Sequence, residues 1–211
     1  MGSCCHSHEP PFEGLSSVYR RVLWLVIAIN ASMFLAEMVA GHVAGSRALQ
    51  ADALDFAGDS LTYAITLAVI GRSLLVRSSA ALFKGLSLLV LGLWVAGSTL
   101  WSIWQGAIPE AHVMGLFGIL ALGANLGSLL LLMRWREGDA NIRSVWLCSR
   151  NDAIGNVAVM IAALGVFGTA SAWPDLLVAG IMSGLFLSSA SQILRQALAE
   201  RREALQPLAA E

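Results

Sequence analysis

Residues 52–60 read DALDFAGDS, and they pass directly into the apolar run LTYAITLAVI at residues 61–70. Asp52, Asp55 and Asp59 recur at i, i+3 and i+7, a spacing that places all three on one face of a helix. Carboxylates on so apolar a helix need a partner, a water-filled cavity or a proton. Whether this helix lies in water or in lipid therefore decides the fold.

The composition answers that question. Of the 211 residues, 57% are hydrophobic and 13% are charged, and the mean hydropathy is +0.71. Soluble domains carry about 25% charged residues, so the apolar excess is too large for one buried core and indicates a bilayer. The formal net charge of −1 offers no basic face for nucleic acid. We therefore expect an integral membrane protein with no nucleic-acid partner.

Six apolar runs are long enough to cross a bilayer, and polar breaks separate them. Lys and Arg residues concentrate before the first run, in alternate breaks and after the last run, so the positive-inside rule places both termini in the cytoplasm. The sequence predicts an all-α membrane protein with a cytoplasmic tail at residues 1–18, a transmembrane domain at 19–198 and a short cytoplasmic tail at 199–211. The six predicted spans are Val22–Val43, Leu49–Gly71, Leu82–Trp104, Val113–Met133, Val145–Val166 and Leu176–Leu198.

The second span carries its acids to the middle of the membrane. Asp59 lies about ten residues from the outer end, or roughly 15 Å at the helical rise, half of a ~30 Å hydrocarbon core. A carboxylate there costs about 3 kcal/mol. Asp55 and Asp59, one turn apart, repel each other unless a cation lies between them. Asp52 has a second interpretation, as a cap at the mouth of the helix.

The fifth span contains a second polar group, in WLCSRNDAIGNVAVMIAA at residues 146–163. This span runs in the opposite direction, so Asp152 and Asp59 reach similar depth. Cys148, Asp152 and Asn156 follow one another at i, i+4 and i+8 on one face. Carboxylates on one helix that face a carboxylate and an amide or thiolate on another form a four-ligand divalent-metal site.

The fourth ligand of this site stays open between Cys148, Asn151 and Asn156. Depth favours Asn156, because it is level with Asp55, and a site closed by Asn156 would be all oxygen. A site closed by Cys148 would contain a thiolate, which favours Zn²⁺ and Cd²⁺. The predicted metal ligands are Asp55, Asp59, Asp152, Asn156 and Cys148.

Three stretches resemble the cation diffusion facilitator family of metal exporters. They are AINASMFLAEMVAGHVAGSRALQADALDFAGDSLTYAI at residues 28–65, NDAIGNVAVMIAALGVF at 151–167 and WPDLLVAGIMSGL at 173–185. The resemblance implies a transport site with His/Asp-xxx-Asp in the second helix, here Asp55 and Asp59, and His-xxx-Asp in the fifth. The latter motif falls on Cys148 and Asp152, so the usual histidine is replaced. The cytoplasmic C-terminal domain of most relatives is missing, so the chain is expected to be a truncated type, and a homodimer is expected.

The resemblance and the acids predict the same activity, which is proton-coupled efflux of a divalent metal cation. Carboxylates that lose protons to bind metal and regain them to release it couple the two fluxes. Zn²⁺ is the expected substrate, with Cd²⁺, Co²⁺, Fe²⁺ and Mn²⁺ also admitted, and no cofactor is expected. The location expected is a bacterial inner membrane. The alternative is a membrane-embedded metal sensor or interaction protein, whereas an intramembrane metalloenzyme would need a His-Glu-xx-His helix that the sequence lacks.

Two further groups of residues suit the same activity. The N-terminal SCCHSHE contains soft ligands suited to Zn²⁺, Cd²⁺ or Cu⁺, which predicts a metal-capturing tail. In the first span, Glu37 and His42 are candidates for a proton path, although Glu37 could equally bond a neighbouring helix and His42 lies close enough to the outer surface to be merely solvated. The tail residues concerned are Cys4, Cys5, His6 and His8.

Overall fold

The chain folds into a bundle of long α-helices. The structure is a computed structural model that describes residues 16–69, 73–135 and 140–205. Within these residues the helices are α1 (Ser17–Ala44), α2 (Arg47–Val69), α3 (Leu74–Gln105), α4 (Ala111–Leu132), α5 (Ala140–Thr169) and α6 (Trp173–Leu205), with a short 3-10 turn at Met133–Trp135 after α4. Each helix contains one of the six predicted spans almost whole, which confirms the predicted all-α membrane fold.

Five of the six helices are long and apolar enough to cross a membrane. The exception is α2, whose acids lower its hydropathy. α2 contacts every other helix, and the positions from Ala48 to Leu54 are all buried. Because the other helices shield α2 from lipid, its acids face protein rather than hydrocarbon, which is where intramembrane carboxylates are tolerated.

The helices pack as three close pairs, α1 with α2, α3 with α6 and α4 with α5. Glycines permit the close approach, as small residues do in membrane bundles. A Cβ atom added at Gly85 of α3 would lie 2.8 Å from Leu194 Cγ of α6, and one at Gly118 of α4 would lie 2.9 Å from Met160 Cγ of α5. Substitution at either glycine would force the facing helix to shift.

A tight turn joins α1 to α2. Gly45 has φ of 68° and ends α1 in the left-handed conformation, which a glycine adopts without strain. A Cβ at Gly41 would lie 2.9 Å from Gln50 Cγ and 3.0 Å from Gln50 N. The Gln50 side chain donates a hydrogen bond of 3.0 Å to the Gly41 carbonyl. The turn therefore holds the start of α2 directly against the end of α1.

The start of α1 packs against the ends of α2 and α4. The residues that meet there form one buried apolar cluster, which we call the N-terminal cluster, and they are Tyr19, Leu23, Val26, Ile27, Tyr63 and Leu132. The contact shows that α2 and α4 run antiparallel to α1, as the alternating spans require. The assignment of this end to the cytoplasm stays a prediction.

Candidate metal centre

The three aspartates of α2 lie along the side of the helix that faces the middle of the bundle. Asp52 is 2% exposed, whereas Asp55 and Asp59 are partly exposed. The electrostatic interactions of Asp55 include its like-charged neighbours Asp52 and Asp59. The structure thus places a row of acids inside the bundle.

Asp152 of α5 joins this row from the opposite helix. Its carboxyl group lies within hydrogen-bonding reach of the carboxyl groups of both Asp55 and Asp59. Two carboxyl groups can share a hydrogen bond only when one of them carries a proton. The contact is therefore compatible with a proton shared between two of these groups. Among the residues that the structure describes, no three His, Cys, Asp or Glu side chains are spaced as they would be around a bound ion.

Asn156 lies one turn beyond Asp152 on the same face of α5. It is 0% exposed, and within the described part of the chain neither its amide nitrogen nor its amide oxygen has a hydrogen-bond partner. A buried amide without partners costs free energy and calls for an explanation, such as an absent ion. Asn156 thus offers an amide oxygen, without a partner among the described residues, one helical turn from Asp152. The side chains of Cys148 and Asn151 lie outside the described part of the structure.

A second acidic pair lies beside this centre, where α1 meets α2. Glu37 is 0% exposed, and its carboxyl group lies within hydrogen-bonding reach of that of Asp52 and close enough to Asp55 for electrostatic interaction. Among the described residues no hydrogen-bond donor reaches either Glu37 oxygen. The interpretation of Asp52 as a helix cap is wrong, because α2 begins at Arg47, more than one turn earlier. His42 is exposed, as predicted.

The cap of α2 comes instead from the other end of the chain. Asp175, in the first turn of α6, accepts hydrogen bonds from Ser46 Oγ at 2.6 Å, Arg47 N at 2.8 Å and Ala48 N at 3.0 Å. Ser46 Oγ in turn accepts from Leu49 N at 3.0 Å. The first amides of α2 are therefore all satisfied. Sequence reasoning missed Asp175, although an acid just after Trp-Pro at a helix start is a visible signal.

Tyr63 is a second residue that sequence reasoning missed. It follows Asp59 by one turn of α2, and its hydroxyl donates a hydrogen bond to Asp59 Oδ2. The i, i+4 spacing allows this contact within one helix. The tyrosine therefore touches a predicted ligand of the metal centre.

A helical membrane bundle that encloses carboxyl groups from two helices belongs to the class of membrane proteins that handle cations. Comparison with known families agrees with this class. The cation efflux transmembrane domain matches residues 76–200, and the chain belongs to the cation efflux, or cation diffusion facilitator, family. The predicted resemblance is thereby confirmed.

Individual relatives are similar over most of this chain. The metal cation efflux system protein CzcD of Cupriavidus metallidurans is 25% identical over an alignment of 201 positions, which covers 90% of this chain and 62% of CzcD. The zinc transporter ZitB of Escherichia coli is 26% identical over 211 residues, covering 94% of this chain and 67% of ZitB. The human proton-coupled zinc antiporter SLC30A8 is 25% identical over 188 residues, covering 77% of this chain and 51% of SLC30A8. The chain thus spans about half to two thirds of the length of these relatives.

Proposed function

We propose that this protein exports a divalent metal ion, Zn²⁺ in the first place, in exchange for protons. The observation that carries the proposal is the contact of Asp152 with both Asp55 and Asp59 across two helices inside a membrane bundle. Carboxylates at such a position are costly and mark ion pathways. Family membership supports cation efflux.

The hydrogen-bonded carboxyl groups supply the coupling to protons. Metal ligands must be deprotonated, so metal binding releases protons and protonation releases metal. A proton shared by Asp152 with Asp55 or Asp59 would lie between the oxygens that would bind the ion. One set of side chains can therefore carry metal in one direction and protons in the other, and no separate base is required.

The proposed ligands are Asp55, Asp59 and Asp152, with a fourth from α5. The unpartnered amide of Asn156 supports its oxygen as that ligand, because a bound ion would satisfy it. Cys148, the position that the family pattern favours, stays the alternative. On metal binding the carboxyl groups would turn from one another toward a shared ion.

Glu37 and Asp52 extend the acids from the centre toward the turn between α1 and α2. Both are buried, and Glu37 lies within electrostatic range of Asp55. Because protons can pass between carboxyl groups in contact, we place these two residues on the proton path. Of the two roles that the sequence left open for Glu37, we therefore propose the one on the proton path.

The names of the relatives support the choice of ions. ZitB is named a zinc transporter, and SLC30A8 is named a proton-coupled zinc antiporter. Because ZitB and CzcD are bacterial proteins, a bacterial inner membrane is the location we propose. We also propose that both termini lie in the cytoplasm and that the protein forms a homodimer.

Flux into proteoliposomes tests this function. The purified full chain is reconstituted, a pH gradient is imposed, and uptake of Zn²⁺, Cd²⁺, Co²⁺, Fe²⁺ and Mn²⁺ is measured. We expect Zn²⁺ flux that depends on the gradient and is lost in Asp59→Asn and Asp152→Asn. Glu110→Gln, at an exposed acid in the loop before α4, is the matched control and should keep full flux. Metal binding without flux would instead support the alternative function, a membrane-embedded metal sensor or interaction protein.

A comparison of two variants identifies the fourth ligand. If Asn156 completes the site, Asn156→Ala weakens Zn²⁺ binding, whereas Cys148→Ser leaves the affinity and the preference between Cd²⁺ and Mn²⁺ unchanged. If the serine variant alone loses tight binding and the preference for Cd²⁺, the thiolate is the ligand and the depth argument is wrong.

A further inference from the structure

Tyr63 connects the metal centre to the N-terminal cluster. Its hydroxyl donates to Asp59 Oδ2, while its side chain is only 1% exposed and belongs to the N-terminal cluster. Within that cluster the ring packs with apolar side chains of α1 and with Leu132 of α4. The hydroxyl group is therefore a donor whose position is fixed by close packing on two other helices.

A fixed donor restricts the carboxylate that accepts from it. Partners of this kind orient a ligand and tune its affinity for metal. Asp59 Oδ2 accepts from the hydroxyl of Tyr63, and Asp152 of α5 reaches the same carboxyl group. One oxygen of Asp59 is thus engaged by the tyrosine, which leaves Oδ1 as the oxygen for an ion between α2 and α5.

The number of oxygens that a carboxylate offers affects the choice of ion. Zn²⁺ in protein sites is commonly four-coordinate and tetrahedral. Mn²⁺ favours oxygen ligands in octahedral sites, which require more donor atoms. Binding through both oxygens of Asp59 would supply an extra donor, but Oδ2 would then have to turn toward the ion while one of its lone pairs is held by the Tyr63 hydroxyl, which disfavours that orientation.

We propose that Tyr63 is a positioning residue that holds Asp59 as a one-oxygen ligand and so favours Zn²⁺ over Mn²⁺ at this centre. The proposal rests on the proposed function, since it concerns the same site. Removing the hydroxyl while keeping the ring frees Asp59 to rotate. Zn²⁺ then loses an oriented ligand, and Mn²⁺ gains access to a second oxygen.

Equilibrium binding to the purified full chain tests this role. Affinities for Zn²⁺ and Mn²⁺ are measured for the wild type, Tyr63→Phe and the control Tyr19→Phe, which removes a hydroxyl from the same cluster. We expect Tyr63→Phe to weaken Zn²⁺ binding about tenfold, the lower end of the effect of such partners. Mn²⁺ binding should be unchanged or tighter, so the ratio of the two affinities falls by tenfold or more. Tyr19→Phe should keep the wild-type ratio.

The alternatives give different results. A wild-type ratio in Tyr63→Phe, or an equal loss for both ions together with a lower unfolding temperature, would show that the tyrosine serves packing alone and would overturn the proposal. An altered ratio in Tyr19→Phe as well would overturn it too, because the effect would belong to the cluster. Failure of the proposed function is distinguishable, since the wild type would then bind neither ion or would bind Zn²⁺ without flux, whatever ratio Tyr63→Phe shows.

Discussion

Replacing Asp175 with alanine should destabilise the whole bundle, because this side chain caps the helix that carries the acids. The substitution leaves the amides of Arg47 and Ala48 and the hydroxyl of Ser46 without their acceptor. At least two of these donors lose their bond in surroundings with little water, at about 1 to 3 kcal/mol each. We therefore expect a loss of about 3 kcal/mol or more in the free energy of unfolding.

Replacing Asp175 with asparagine removes the negative charge but keeps an acceptor oxygen in the same place. Asp175→Asn keeps one acceptor oxygen, so it should cost about 1 to 2 kcal/mol for one lost bond and for the lost interaction of the charge with the helix dipole. Glu200→Gln, on the same helix, should stay within about 0.5 kcal/mol of the wild type, because among the described residues Glu200 accepts a hydrogen bond from Gln196 alone. Reversible denaturation in detergent micelles measures all three variants. An alanine variant as stable as the control would refute the capping account.

Three other changes test separate parts of the structure. Gly41→Ala should cost about 1 to 3 kcal/mol, because its Cβ would meet the backbone of Gln50. Its control is Gly97→Ala, whose Cβ would have no described neighbour within 4 Å and which should cost nothing. Equal melting temperatures for the two variants would contradict the close packing. Glu37→Gln should bind Zn²⁺ normally but slow proton-driven flux, and unchanged flux would remove Glu37 from the proton path. Deleting Met1–His8 should reduce transport only at low metal concentration, since a capturing tail raises local concentration; a lost maximal rate would place the tail inside the mechanism.

Much of the architecture was predictable from hydropathy alone. Each helix contains a long, predominantly apolar run, so the six spans could be read from the sequence, although α3 begins eight residues before its predicted span. The meeting of Asp59 and Asp152 was also predictable, because helical rise fixes depth and antiparallel helices bring equal depths together. Their role as metal ligands stays a prediction.

Other features depend on contacts that are remote in sequence. Asp175 caps α2 from 128 residues away, and periodicity within one helix cannot identify such a partner. The error about Asp52 follows from this, since the true cap lay on another helix. Tyr63 appeared to be one more apolar residue of α2, and its importance depends on which atom its hydroxyl reaches. Long-range polar contacts in a membrane core are therefore the part that sequence patterns predict least well.

The central claim is that one carboxyl centre exchanges protons for metal, and counting protons tests it most directly. Zn²⁺ is titrated into the purified protein by calorimetry in two buffers of different ionisation enthalpy, and the difference in heat gives the protons released per ion. We expect about one to two protons for the wild type, because shared carboxyl protons must leave when the ion binds. Asp152→Asn should release fewer protons and bind weakly, whereas Glu110→Gln should match the wild type. Zn²⁺ binding without proton release, or with a release that Asp152→Asn leaves unchanged, would contradict the account.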